Sequence, residues 1–185
     1  MIDIIYLIIL QLFDYLSNIF QMNLFSDMYS ISFSFAFIGC ILVLNENDLE
    51  NALFLGLLFA IYQSFLLNYH NFNLLYIYLI CIIVNFNLKK ILNDNFFSRF
   101  IILLVLIFIK ECILYLMAVL FSSLQMSILT FITNRLFFSI IINALVIIIM
   151  LFIDSIRSNF KIENEYNKRL EEDLFGSSLK KKSKL

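Results

Sequence analysis

Long apolar runs separated by short polar connections set the pattern of this chain. Each run approaches the roughly 20 residues that an α-helix needs to cross a hydrocarbon layer about 30 Å thick. Inside lipid the backbone must bond within its own segment, and the short alternating segments typical of a membrane barrel do not occur. The pattern predicts six membrane-spanning helices, at residues 4–20, 28–44, 52–68, 74–88, 97–121 and 132–153.

The composition strengthens this interpretation. The 185 residues are 62% hydrophobic, whereas soluble domains average about 45–50%, and so small a core cannot bury the excess. We therefore predict an all-α, polytopic membrane protein with six transmembrane helices in one bundle, residues 1–155. A cytoplasmic amphipathic and basic tail, residues 156–185, follows the bundle.

The cations predict the orientation in the membrane. Lys89, Lys90 and Arg99 flank the fourth connection, and most other cations follow residue 154. Cytoplasmic connections carry the Lys/Arg excess, so a multi-pass chain with both termini in the cytoplasm is expected. Arg135, near the outer end of the sixth span, is the one cation that opposes this arrangement.

The tail has two features of its own. Apolar residues recur at about helical spacing, at Ile156, Phe160, Tyr166, Leu170 and Leu174. The last span is therefore expected to continue as an amphipathic helix toward Gly176. The chain ends in a basic segment made of Lys180, Lys181, Lys182 and Lys184. This segment either attracts anionic lipid, at about 1 kcal/mol per cation, or is a solvated tail that fixes topology.

Polar residues mark one face of the first span. Gln11, Asp14, Asn18 and Gln21 follow one another at steps of three, four and three, so they share a helix face. An ionisable group near the middle of the membrane costs at least about 2.5–3.5 kcal/mol, which turns this face inward. It serves either as polar contacts between helices or as the lining of a pathway.

Two adjacent charges, Lys110 and Glu111, interrupt the fifth span. Adjacent helical residues point about 100° apart, so we expect the two side chains to occupy different environments. Glu111 lies near mid-membrane and is expected to face inward, bonded to neighbours of Lys110, bonded to Arg135, or protonated. The sixth span carries Arg135, Ser139 and Asn143 on one face. The predicted intramembrane polar network comprises Gln11, Asp14, Asn18, Lys110, Glu111, Arg135 and Asn143.

Small residues occupy every fourth position of the third span: Ala52, Gly56, Ala60 and Ser64. Such a small-residue face lets two helix backbones approach closely. The sequence leaves open whether the partner helix belongs to this chain or to another protein. In the second span, Ser30, Ser32 and Ser34 are expected to bond back to carbonyls of their own helix.

Motifs of known chemistry are missing from the sequence. His70 is the only histidine, the three glycines are dispersed, and Cys40, Cys81 and Cys112 lie in separate apolar runs. Neither a zinc site, a nucleophile elbow nor a phosphate-binding loop fits these residues. The net charge of −1 gives no field for nucleic acid. We predict no catalytic, cofactor-binding or metal-binding residues, and no small-molecule substrate.

The order of these features resembles the rod shape-determining MreD family of bacterial inner-membrane proteins, over residues 10–157. Ser26-Asp27 before an apolar span looks like that family's Pro-Asp, and the run from Ala52 to Ala60 looks like its small-residue third helix. Lys89-Lys90 resembles its basic turn after helix four. The later Glu and Asn-Ala-Leu features of the family match Glu111 and residues 142–145.

The chain departs from the family at Ser64, where Asp is usual, at Ala60, where Gly is usual, and before Asp27, where Pro is missing.

The resemblance implies a non-enzymatic membrane scaffold that maintains cell shape and lateral peptidoglycan synthesis. The implied partners are the lipid bilayer, an MreC-like bitopic protein, a RodA-type glycosyltransferase with its penicillin-binding transpeptidase, and the actin-like MreB. The implied location is the bacterial cytoplasmic membrane.

Two alternatives stay open. A substrate-binding subunit of an energy-coupling-factor vitamin transporter has a similar size and six spans, although its small-residue helix is usually the first. An ion or proton channel subunit would use Asp14 and Glu111 as a path, but charge rings and a filter-like loop are missing.

Overall fold

The computed structural model of the protein describes residues 2–24, 33–66, 73–121 and 127–182, with most side chains described as far as residue 166. All regular structure in these ranges is helical. In chain order the elements are α1 (Ile2–Leu24), α2 (Phe35–Leu44), α3 (Leu49–Leu66), α4 (Asn73–Ile91), α5 (Phe96–Phe121), α6 (Ile128–Thr130), a π-helix (Phe131–Leu136) and α7 (Phe137–Lys182).

Three helical stretches among the described residues are long and apolar enough to cross a membrane: Leu74–Ile91, Phe96–Leu120 and Ile128–Glu163. Two apolar helices, Phe35–Leu44 and Leu49–Phe65, are shorter. The prediction of an all-helical membrane protein is therefore confirmed for the described part of the chain. Large apolar side chains on the outer faces are exposed, as lipid contact requires.

The second predicted span differs from the structure at its start. Residues 33 and 34 are not helical, and α2 begins at Phe35; residues 28–32 lie outside the described residues. The ten residues of α2 measure about 15 Å, half the thickness of the hydrocarbon layer. The expectation for Ser34 is wrong, because this residue precedes the helix and bonds elsewhere. Ser30 and Ser32 lie outside the described residues.

The short helix α2 forms the core of residues 1–150. All side chains from Ala36 to Leu44 are buried, so the helix is apolar on every side. Gly39 contacts Leu10 of α1 and Met150 of α7, and a Cβ atom at this position would overlap the end of the Leu10 side chain. The missing side chain of Gly39 therefore allows α1 to pack closely against α2.

Two other helices pack on α2 through named contacts. Phe37 meets Tyr78 of α4 edge to face, with ring centroids 5.3 Å apart. Leu44, at the end of α2, contacts Gly56 of α3. Residues of α1, α3, α4 and α7 therefore contact α2.

The chain divides into two compact units, residues 1–150 and 151–185. The predicted boundary at residues 155 and 156 stays a prediction. Helix α7 runs without a break through Gly176 to Lys182, beyond the point where the sequence suggested an end. Within the second unit, Arg157 forms an ion pair with Asp154 one turn earlier, at 2.7 Å.

Candidate functional site

The start of α2 is capped by a side chain from a different helix. Both carboxylate oxygens of Asp14 accept backbone N–H groups, one from Phe35 at 2.8 Å and one from Ala36 at 2.9 Å. The first N–H groups of any helix lack partners in their own helix, and in hydrocarbon each unsatisfied group costs several kcal/mol. Ser34, at the usual capping position, makes no side-chain cap bond. Asp14 therefore takes its place.

Lys110 of α5 binds beside this cap. Its ammonium group donates a hydrogen bond of 2.6 Å to the hydroxyl of Ser34. The same group lies 5.7 Å from the centre of the Phe37 ring, within the range of a cation–π contact. Lys110 is only 8% exposed. The lysine thus joins α5 to the residues immediately around the start of α2.

Glu111 lies between two cations. One carboxylate oxygen is 3.7 Å from the Lys110 ammonium group, and the other is 3.5 Å from Nε of Arg135. Glu111 is 1% exposed. The expectation that Lys110 and Glu111 occupy different environments is wrong. Their backbone directions do diverge, but the long, flexible lysine side chain brings its ammonium group back toward the carboxylate.

These four residues, Asp14, Lys110, Glu111 and Arg135, are called the charged cluster below. Two formal negative charges and two formal positive charges leave it without net charge. Charges out of water are tolerated when they are paired and hydrogen-bonded. The cluster joins α1, α5 and the π-helix around the backbone of α2. Its geometry therefore favours a role in holding the helices together.

The π-helix places Arg135 in the cluster. Its first residue, Phe131, stacks on Tyr115 of α5 with ring centroids 4.2 Å apart. Tyr115 follows Glu111 by one helical turn, so the stacked pair and the ion pair lie on the same side of α5. A π-helical turn inserts an extra residue into the helical repeat and shifts the directions of the side chains. The Arg135 side chain remains one-third exposed and marks the outer edge of the cluster.

The other predicted members of the polar network occupy neighbouring positions. Gln11 is buried on α1, one turn before Asp14. Asn143 is fully buried and donates to the carbonyl and hydroxyl oxygens of Ser139 on its own helix, at 2.9 and 3.2 Å. Asn18 belongs to α1, but its side chain lies outside the described residues. The structure thus brings Asp14, Lys110, Glu111 and Arg135 together around α2.

The small-residue face of α3 packs inside this chain. Ala52 and Ala60 are fully buried, and Ser64 bonds back to the carbonyl of Ala60 at 2.8 Å. A Cβ atom on Gly56 would overlap the Cδ1 atom of Ile82 on α4. The question that the sequence left open is therefore answered, because this face receives α4. Since α4 covers this face, a partner protein cannot bind there.

A second polar face, on α4, escaped the sequence analysis. The Tyr78 hydroxyl donates to Gln63 of α3 at 2.9 Å, and the Asn85 amide donates to Asn45 at 2.6 Å. Lys89 donates to the Asn45 carbonyl at 3.2 Å. The signal was present in the sequence, since Tyr78, Asn85 and Lys89 are separated by seven and four residues and share one helix face.

The remaining candidates are the C-terminal lysines and the three cysteines. Lys180, Lys181 and Lys182 fall in the last turn of α7; their side chains and the whole of Lys184 lie outside the described residues. Cys40, Cys81 and Cys112 are free thiols. Within the described ranges, no three or more His, Cys, Asp or Glu side chains gather as a metal site would require.

Comparison with protein-family models, curated proteins and solved structures finds no match to this chain.

Proposed function

We propose that this protein is a non-enzymatic membrane scaffold of the MreD type, with the charged cluster as the device that fixes its helices. The proposal rests on one observation: the side chains of the cluster form their hydrogen bonds and ion pairs with other groups of this protein. The Asp14 carboxylate binds the start of α2, Lys110 binds Ser34, and Glu111 lies between two cations. Side chains used in this way favour a structural role over catalysis or transport.

The proposed architecture has six crossings in one bundle, formed by α1, a second span that includes α2, and α3, α4, α5 and α7. Both termini lie in the cytoplasm. Lys89, Lys90 and Arg99 then face the cytoplasm at the connection between α4 and α5, as the distribution of cations in membrane proteins requires. The proposed location is the bacterial inner membrane.

The proposed activity is binding. The chain joins an MreC-like bitopic protein, a RodA-type glycosyltransferase with its penicillin-binding transpeptidase, and MreB, and it helps direct lateral wall synthesis. The support for these partners is the order of sequence features from Ser26-Asp27 to residues 142–145. Since the small-residue face already holds α4, partner helices dock on other surfaces of the bundle.

The internal use of the small-residue face also bears on the vitamin-transporter alternative. A substrate-binding subunit needs such a face exposed to its coupling subunit, whereas Ala52 and Ala60 are fully buried within this chain. The channel alternative needs polar groups along an open path, whereas the charged cluster is internally paired. Both observations favour the scaffold.

A pull-down tests the proposal. The full chain, tagged at its C-terminus, is isolated from native membranes in a mild detergent, and the bound proteins are identified by mass spectrometry. An unrelated six-helix membrane protein with the same tag is the control. An MreC-like protein recovered with wall-synthesis enzymes, and missing from the control, is the expected result. Recovery of a membrane coupling subunit with two cytoplasmic ATPases would overturn the proposal.

A further inference from the structure

The outer face of α1 carries a repeat of large side chains that point away from the other described helices. Ile5, Ile8, Leu12 and Tyr15 follow one another at steps of three, four and three, and each side chain is about half exposed. The sequence continues this spacing through the rest of the helix with an isoleucine and a methionine. Apolar side chains at the first and fourth positions of a seven-residue repeat are the pattern by which two α-helices pack as a left-handed pair.

This outer face is free of charge. The charged residues of α1 are Asp3 and Asp14. Asp14 is buried against the start of α2, and Asp3 comes two residues before Ile5, which places it on the opposite side of the helix. Two copies of the face therefore meet without bringing like charges together.

The hydroxyl group of Tyr15 lies deep in the membrane. Its neighbour Asp14 binds the start of α2 beside Lys110 of α5. Lys110 comes 11 residues before the end of α5 at Phe121, or about 16 Å along the helix, near the middle of a hydrocarbon layer about 30 Å thick. The Tyr15 side chain is 50% exposed at this depth, and its hydroxyl makes no hydrogen bond to the described part of the chain. Hydrocarbon offers neither a donor nor an acceptor, so the group calls for a partner within the membrane.

From the repeat and the position of this hydroxyl we propose that α1 binds the α1 helix of a second copy of the chain. The two helices form a parallel left-handed pair in which the Tyr15 hydroxyl groups bond to each other. Copies inserted in the same direction are related by a two-fold axis, and a residue beside that axis contacts its own counterpart. A hydroxyl group is both donor and acceptor, so it pairs with its counterpart, as two like charges would not. The proposal rests on α1 as one of the crossings of the proposed function.

Disulfide formation in membranes tests the contact face. The full chain is oxidised with iodine as the variant Leu12→Cys, in which the two introduced thiols face each other within reach of a disulfide. Phe13→Cys is the matched control, because the two positions are 58% and 53% exposed at almost the same depth but point about 100° apart. The natural chain gives the background from its own three cysteines.

We expect a disulfide-linked dimer from Leu12→Cys, whereas Phe13→Cys stays at the background of the natural chain. Equal dimer formation by the two variants would show random collision and overturn the contact face. Failure of Leu12→Cys to exceed the background would overturn it as well.

Tyr15→Phe tests the hydroxyl contact and keeps the size of the side chain. Copies of the purified full chain with donor or acceptor dyes at the C-terminus are mixed in phosphatidylcholine vesicles, and energy transfer is measured against the ratio of protein to lipid. Tyr62→Phe is the control, since Tyr62 is a similarly exposed tyrosine near the end of α3.

Tyr15→Phe is expected to raise the dissociation constant of the dimer about three- to tenfold, as the loss of one hydrogen bond between membrane helices implies. Tyr62→Phe should leave the constant unchanged. Energy transfer by the natural chain at the level of random mixing would overturn the dimer. An unchanged constant in Tyr15→Phe would overturn the pairing of the hydroxyl groups.

The dimer and the proposed function fail in different experiments. The vesicles contain no other protein, so energy transfer does not depend on the partners sought in the pull-down. A monomeric chain that still recovers an MreC-like protein would overturn the dimer alone. A dimeric chain that recovers a coupling subunit with two ATPases would overturn the scaffold alone.

Discussion

The carboxylate of Asp14 accepts the backbone N–H of Ala36 at 2.9 Å, across 22 residues of sequence. A residue in the middle of the first helix thereby caps the second helix inside the bundle. The other carboxylate oxygen binds Phe35 in the same way. This relationship explains why α2 can begin among buried residues, where water is not available to satisfy its first N–H groups.

Replacing Asp14 by Asn should destabilise the protein by at least about 1–2 kcal/mol. Asn keeps one carbonyl oxygen, so one N–H of α2 loses its acceptor. Thermal unfolding in detergent, followed by helical circular dichroism, measures the change. Asp48→Asn is the control, because Asp48 is exposed before α3 and Asn is an equally good capping residue. Equal shifts in both variants would contradict the capping role.

The contact between Gly56 and Ile82 gives a second prediction. Gly56→Ala should destabilise the bundle by about 1–3 kcal/mol, because the new Cβ atom meets Cδ1 of Ile82. Ile82→Val deletes that Cδ1 atom and alone costs about 0.5–1.5 kcal/mol. The double variant should therefore lose less stability than the sum of the single variants. Strict additivity in the unfolding free energies would show that α4 does not pack on this face.

The ion pair between Asp94 and Arg99 predicts a small dependence of stability on pH. Hydrogen bonding from Arg99 lowers the pKa of Asp94 below its usual 3.8. A lowered pKa in the folded state means that the ionised form stabilises the fold. The contribution is complete above about pH 5 and is lost as the pH falls below 3.8 toward the folded pKa.

The side chains are about half exposed, so the effect stays below about 1 kcal/mol. The difference in melting temperature between the natural chain and Asp94→Asn should be constant above pH 5 and shrink as the pH is lowered through 3.8. A difference that stays constant down to pH 3 would contradict the ion pair's contribution.

Glu111 offers a comparison of two substitutions. Glu111→Gln preserves the shape of the side chain and one carbonyl oxygen that can accept from Arg135, whereas Glu111→Leu offers no acceptor. We expect the leucine variant to unfold at a lower temperature than the glutamine variant. Equal melting temperatures would show that only the charge of Glu111 contributes.

The sequence predicted the elements whose cause is local. Apolar runs of membrane-crossing length indicated α4, α5 and α7, and the four-residue spacing from Ala52 to Ser64 indicated a packing face on α3. It also indicated an inward Glu111 with Arg135 as one of its candidate partners. These features depend on residues close together in sequence or on a single helical repeat.

What the sequence did not reveal depends on contacts between distant segments. The start of α2 at Phe35 follows from Asp14, which lies 21 positions earlier and gives no local signal at Ser34. The proximity of Lys110 and Glu111 depends on how the flexible lysine side chain bends. Helical geometry predicts only the direction in which each side chain leaves the backbone. The π-helix before α7 begins at Phe131, which stacks on Tyr115 of another helix; a pattern of neighbouring residues does not show such a contact.

A double-mutant cycle on Glu111 and Arg135 measures whether the charged cluster holds the bundle together. Unfolding free energies are measured for the natural chain, Glu111→Gln, Arg135→Gln and the double variant. We predict a coupling energy of about 0.5–3 kcal/mol, because Glu111→Gln leaves Arg135 without its carboxylate and Arg135→Gln leaves the buried Glu111 with Lys110 alone. Additive losses, with a coupling energy of zero, would contradict the claim.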